Sequence, residues 1–276
     1  MPLFQNLRNE LRKHSTLTIL IVVNLVLFLI LNISTGMFGS YFLAEQLVLP
    51  LNLHHFILKP WTLFTYMFAH TGLGHVFYNM LLLYFSAQIF LTFLNERKLL
   101  YVYILSGITG GVLLLILSAI FPANFAGSQL FGASAAMLGI VASMAVYRPD
   151  MPVMFFGLIQ MKYKYMALII FLSYTIIDFN INTGGKISHF GGVLFGLLYG
   201  YMLRQGKDLS TMSFFRFKQK SPLRVVQNKP SATPHSPNSA SHQQTIDSLL
   251  DKISKIGYEN LTKAEKELLF KLSQKK

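Results

Sequence analysis

The chain contains no cysteine, which excludes disulfide frameworks, thiol catalysis and thiolate metal centres together. Charge is scarce as well: Asp, Glu, Lys and Arg make up 13% of the 276 residues, against 53% hydrophobic residues and a mean hydropathy of +0.46. Soluble domains carry about 25% charged residues, so this balance describes an integral membrane protein. Acidic residues are the scarcest, 11 against 24 basic, for a formal net charge of +13. Such an excess suggests nucleic acid, yet the basic residues flank apolar runs in several loops, with no nucleic-acid motif near them. Membrane lipids with anionic headgroups are the partners they fit, and no nucleic acid is expected. No solenoid-type repeat is visible.

Apolar runs capable of spanning a bilayer fall at about residues 17–33, 74–94, 99–121, 132–147, 164–179 and 187–203. Six spans are therefore expected. The fourth and fifth are shorter than the roughly 20 residues of a freely lipid-exposed helix and should be shielded by neighbours or cross a thinned bilayer. The first follows Arg8, Arg12 and Lys13, lacks a small-residue cleavage site, and is expected to be a retained signal anchor. The remaining cations of that side include Arg97, Lys98, Arg148, Lys162, Lys164, Arg204 and Lys207, whereas Lys59 and Lys186 are all that lie opposite. The positive-inside rule then makes both termini cytoplasmic.

Four segments follow: a cytoplasmic N-terminal stretch (1–15), a membrane domain (16–204), a basic, Pro/Ser-rich linker (205–244) and a small cytoplasmic helical hairpin (245–276). The linker reads Lys229-Pro230-Ser231-Ala232-Thr233-Pro234-His235-Ser236-Pro237, too polar to bury a core. Beyond it Ile246, Leu249, Leu250, Ile253 and Ile256 recur at helical spacing, Gly257 is the stop, and Thr262 with Glu265 forms a capping box for a second helix.

Two polar groups stand out within the apolar runs. Ser134 lies in Phe131-Gly132-Ala133-Ser134-Ala135-Ala136, and His189 in Ser188-His189-Phe190-Gly191-Gly192. An ionisable group inside a membrane is costly and is read as functional by default. A lone serine in a spanning helix is ordinarily a packing residue, and small residues beside it favour close helix contact. Here Ala135, Gly139 and Ala142 make one small-residue stripe, and Gly192, Gly196 and Gly200 make another. Helices with such faces approach closely enough to bring a hydroxyl to an imidazole, which packing alone does not require. The alternative for His189 is a core histidine bonded to a carbonyl. Neutral imidazole can accept a serine proton and return it to a leaving amine. Asp178 and Glu96 lie at the wrong ends of their spans to orient it, so a dyad is expected rather than a triad. His75 and Asn79, four apart on one helical face, suit an oxyanion, with the Ser134 amide as a further donor; bonding to the preceding loop is the alternative. A metal reading of His70, His75 and His189 is the weaker one: His70 and His75 are five apart with no glutamate between, which does not match a HExxH zinc helix, and neither metal nor cofactor is expected.

With these residues in view, the sequence resembles the rhomboid family of intramembrane serine proteases. The resemblance rests on Trp61-Thr62 and Phe64, on the run from His70 through His75 to Asn79, on Gly132-Ala133-Ser134, and on His189 with its glycine stripe. It covers roughly residues 16–204 and implies an all-α membrane protein, a six-transmembrane-helix bundle with a short helical C-terminal tail. It further implies a multi-pass protein of the bacterial inner membrane that cleaves transmembrane protein substrates, with Ser134 as nucleophile, His189 as general base, and His75 and Asn79 as oxyanion-stabilising side chains. Two residues depart from the pattern. Ala135 stands where the family usually has glycine, and Leu138 stands where some members stack an aromatic ring on the histidine. The rival reading is a non-catalytic relative that binds transmembrane clients; such relatives typically lack the serine or the histidine. A transporter would more often show two related halves with charged midplane sites, and no duplication is seen.

Overall fold

The computed structural model describes residues 15–155, 157–177, 183–211 and 237–273. The expectations for Arg8, Arg12 and Lys13, for Asp178 and for most of the linker lie outside these residues. The described chain is mostly helical and divides into two units, residues 1–217 and 218–276.

The first unit opens with α1 (Ser15–Phe38) and continues through two short helices, α2 (Phe42–Leu47) and α3 (Leu53–Leu58), with strand β1 (Leu49–Pro50) between them. Then come α4 (Thr62–Thr65), a 3-10 turn (Tyr66–Phe68), and the long helices α5 (Leu73–Phe93) and α6 (Glu96–Ile120). Strand β2 (Gln129–Leu130) leads into α7 (Ser134–Tyr147), a hairpin β3 (Pro152–Phe155) and β4 (Ile159–Lys162), α8 (Tyr163–Leu172) and α9 (Thr183–Arg204). Among the described residues α1, α5 and α6 are long and apolar enough to cross a membrane, and α7 and α8 are shorter apolar helices. α9 has the length, 22 residues, but its glycines, Lys186, Ser188 and His189 dilute its hydropathy. α7 is short and buried from Ser134 through Met144, so its neighbours provide what length does not.

The contact that organises this unit is backbone against backbone. A Cβ placed on Gly192 would run into the carbonyl of Ala135, one on Gly196 into that of Gly139, and one on Gly200 into that of Ser143. Both series advance by four and rise together, so α7 and α9 run parallel and in register. The side-chain-free face of α9 permits this approach, which brings dispersion and Cα–H···O contacts in place of a hydrophobic driving force. α6 closes the third side through Gly110, whose missing side chain leaves room for the Ala135 methyl and the Ser188 carbonyl. The Thr109 hydroxyl donates across to the Gly191 carbonyl at 3.2 Å. Ser86, Ser118 and Ser143 donate to carbonyls of their own helices, which satisfies them where water is absent.

The segment between α1 and α5 is a packed structure rather than a free loop. Its backbone carbonyls are answered by side chains: Trp61 Nε1 donates to Gln46 at 2.9 Å, and the Thr65 hydroxyl donates to Leu47 at 2.9 Å. The Tyr66 hydroxyl reaches the Gly107 carbonyl on α6 at 2.6 Å. β1 pairs antiparallel with β2, Leu49 opposite Leu130 and Pro50 opposite Gln129. This pins the strand leading to Ser134.

The second unit is a helical hairpin, α10 (Pro237–Ile256) and α11 (Lys263–Ser273). Gly257 ends α10 at φ 80°, and the capping box forms: the Thr262 amide and hydroxyl donate to Glu265 Oε2 at 2.9 and 2.8 Å. The Lys252 ammonium and the Thr262 donors hold the Glu265 carboxyl down at about 2. α10 begins at Pro237, eight residues before the expected boundary at 245, within the stretch read as linker. Proline fits the first helical turn, where its missing N–H has no acceptor to lose.

Substitution Gly196→Val should impair folding, because the added carbons meet the Gly139 backbone, which has nowhere to move. We expect a cost of at least about 1–3 kcal/mol, read as a lower Tm in detergent. Gly36→Ala, on α1 with nothing within 4 Å of the new carbon, should leave Tm unchanged or raise it, since it adds up to about 1 kcal/mol of helix propensity.

Candidate active site

The four residues singled out in the sequence line one cavity of about 570 Å³, bounded by α5, α7, the end of α8 and the start of α9. Ser134 is the first residue of α7, so its backbone N–H belongs to the helix-start donors that have no acceptor within the helix. Its hydroxyl lies 2.7 Å from His189 Nε2, and both side chains are buried. With Nε2 unprotonated the hydroxyl donates to it, the geometry in which imidazole acts as base toward serine.

The approach to Ser134 is shaped by Gly132. Its φ is +114°, a conformation that side-chain-bearing residues rarely adopt, and its N–H donates to the Tyr66 carbonyl at 2.9 Å. A Cβ there would lie 2.8 Å from His75 Cε1 and 3.6 Å from Asn79 Nδ2. Glycine thus lets the imidazole and the amide converge on the backbone just before the serine. Nδ2 of Asn79 donates to His70 Nε2 at 2.9 Å, and the Ala133 N–H points at the same nitrogen at 3.4 Å. An amide carries two hydrogens; one is held by His70 and the other remains for a ligand.

From sequence His70 was weighed as a metal ligand and as the start of the run that carries the family resemblance. Here it is a buried acceptor that anchors both Asn79 and the turn before Ser134. It lies in the connection between Phe68 and α5, outside the spanning helices, where burial first, and then His75, with ring centroids 5.0 Å apart, push its pKa down to about 3. Among the described residues no group of three or more His, Cys, Asp or Glu is arranged to hold a metal.

The two departures have structural counterparts. The Ala135 methyl is received by Gly110 on α6, so the tight contact expected at this turn is relieved from the facing helix. Leu138 is buried, and the aromatic ring beside His189 comes instead from Tyr174, edge-on with centroids 6.3 Å apart. Tyr174 sits in a π-helical turn, Ser173–Ile177, that continues α8, and its hydroxyl donates to the Tyr78 carbonyl at 3.3 Å. Neither helical period nor any motif marks it, because the π-turn shifts the face on which it falls. Glu96 takes no part: it accepts from the hydroxyls of Ser15 and Thr16 at 2.7 and 3.0 Å.

The sign of a pH effect follows from His70. A histidine held neutral by burial contributes stability that is present above its unfolded value of about 6.5 and is lost as pH falls toward about 3. The stability difference between wild type and His70→Gln should therefore be largest near pH 7 and shrink between pH 6.5 and 4. Thermal unfolding in detergent across that range checks it; a constant difference removes the neutral-acceptor role.

A family model described as Rhomboid domain matches residues 58–206, more than half of the chain. A second, a family of unknown function (DUF6576), matches residues 237–275. No curated protein matches the chain.

Proposed function

The chain belongs to the rhomboid family, and from that premise we propose that it is an intramembrane serine endopeptidase that cuts peptide bonds in or near the transmembrane segments of other membrane proteins. The family is generally one of serine intramembrane proteases, and the apolar helices fit an integral membrane protein. The observation that carries the reading for this member is the 2.7 Å contact between the Ser134 hydroxyl and His189 Nε2 in a cavity that also presents His75 and Asn79.

In this reading Ser134 Oγ attacks the scissile carbonyl while its proton passes to His189 Nε2. The carbonyl electrons move onto oxygen, and the oxyanion is held by the Ser134 N–H, the second Asn79 N–H and His75. Collapse breaks the C–N bond, and the imidazolium delivers its proton to the leaving amine. Water, deprotonated by the same imidazole, then releases the acid product and restores the serine. The α7 dipole favours negative charge at the end where Ser134 lies. Six spans, with α8 returning the chain between parallel α7 and α9, both termini cytoplasmic and a bacterial inner-membrane location, complete the proposal. Its cavity then opens on the non-cytoplasmic side. The hairpin at 237–273 is a separate appendage that the chemistry does not need.

A mechanism-based serine-hydrolase probe tests the dyad. It should label wild type, fail completely on Ser134→Ala and react far more slowly with His189→Ala; equal labelling of wild type and His189→Ala would return the chain to the client-binding alternative. Asn79→Ala should lower kcat by up to about 10²-fold with little change in KM, and wild-type turnover would leave Asn79 with only its His70 contact. Removal of residues 237–276 should leave cleavage of a model transmembrane substrate largely intact; loss of activity from a folded membrane domain would make the hairpin part of the catalytic unit.

A further inference from the structure

The described lining of the cavity beside Ser134 is electrically one-sided. Among the described residues it includes neutral polar groups from Tyr78, Asn79, Ser173 and Tyr174 but no carboxylate, and Lys186 is the one permanently charged side chain among them. Lys186 lies three residues before His189 on α9, hence on the same face of the helix. It is half-buried, and none of the ion pairs among the described residues involves it. The other cation of that side, Lys59, is engaged with the Glu45 carbonyl at 3.2 Å and does not line the cavity.

An ammonium drawn partly out of water without a counter-ion is costly, and a carboxylate brought to it offsets that cost. We infer that this cavity selects substrate segments bearing an aspartate or glutamate beside the scissile bond, with Lys186 as the residue that reads it. The inference rests on the protease reading. Its register follows from lengths. Three residues of helix rise separate Lys186 from His189 by about 4.5 Å, and an extended substrate advances about 3.3 Å per residue. The carboxylate therefore falls within two residues of the bond that Ser134 attacks. A lysine or arginine at that position meets a like charge and is rejected.

The test uses the full-length protein in detergent and one model transmembrane substrate carrying Asp, Asn or Lys, in turn, at each of the two positions on either side of the cut. At one of these positions the order of kcat/KM should be Asp over Asn over Lys, with Asp about tenfold above Lys at low salt and the gap narrowing as salt is raised. Lys186→Glu should reverse that order, and Lys186→Gln, the milder change, should level it. Cleavage of all substrates by wild type at equal rates overturns the inference while leaving the protease reading intact. An Asp-over-Lys ratio unchanged in Lys186→Gln also overturns it, because the preference then has another source. If no substrate is cut and Ser134 takes no probe, the protease reading fails and this inference fails with it.

Discussion

Everything in the membrane unit depends on how closely two backbones approach. Along α7 and α9 the stripe Gly192, Gly196 and Gly200 lies on the carbonyls of Ala135, Gly139 and Ser143. Any side chain on those glycines would hold the helices further apart by at least the thickness of a methyl group. The hydroxyl and imidazole at the top of the pair, 2.7 Å apart, would then lose contact, since neither side chain is long enough to bridge the difference. The site is thus a by-product of packing: the register that matches glycine to carbonyl also matches Ser134 to His189. Gly110 extends the principle to α6, which receives the methyl of Ala135 and so absorbs the departure at that position.

A second constraint is the need to satisfy polar groups where water is scarce. The segment between α1 and α5 contains short helices, turns and a two-residue strand, backbone that would be prohibitively costly if exposed to lipid. It survives because Trp61, Thr65 and Tyr66 answer its carbonyls or those of α6, and because β1 borrows β2 as partner. This arrangement also sets the chemistry. β2 runs directly into Gly132, whose N–H is tied to Tyr66, and His70 from the same segment holds the Asn79 amide and faces the Ala133 N–H. One scaffold therefore orients the turn before Ser134 and the proposed oxyanion donors together.

Local pattern and long-range geometry divide the rest. Hydropathy alone marked the apolar runs that became α1, α5, α6, α7, α8 and α9, because each is a contiguous signal. The tail was legible for the same reason: Gly257 and the Thr262–Glu265 pair act within four residues, and they stop and start helices as their chemistry requires. The early start of α10 at Pro237 was not, since a polar stretch rich in proline and serine carries no apolar period to announce a helix.

Ser134, His189, His75 and Asn79 could be singled out from sequence because a nucleophile, an imidazole and paired donors are conspicuous against hydrocarbon, and because the family resemblance supplied their order. Their meeting could not. Ser134 and His189 are separated by 55 positions, Ala133 and His70 by 63, and no periodicity encodes a contact of that range. The same holds for Tyr174, which reaches His189 through a π-turn that breaks the helical count, and for Lys186, which the fold sets in one cavity with Ser134 and His189. Composition and short-range spacing determined that this chain is a membrane protein with a buried serine and histidine; the packing of glycine faces against carbonyls decided that the two would lie within hydrogen-bond reach, because interhelical distance is a property of both surfaces at once.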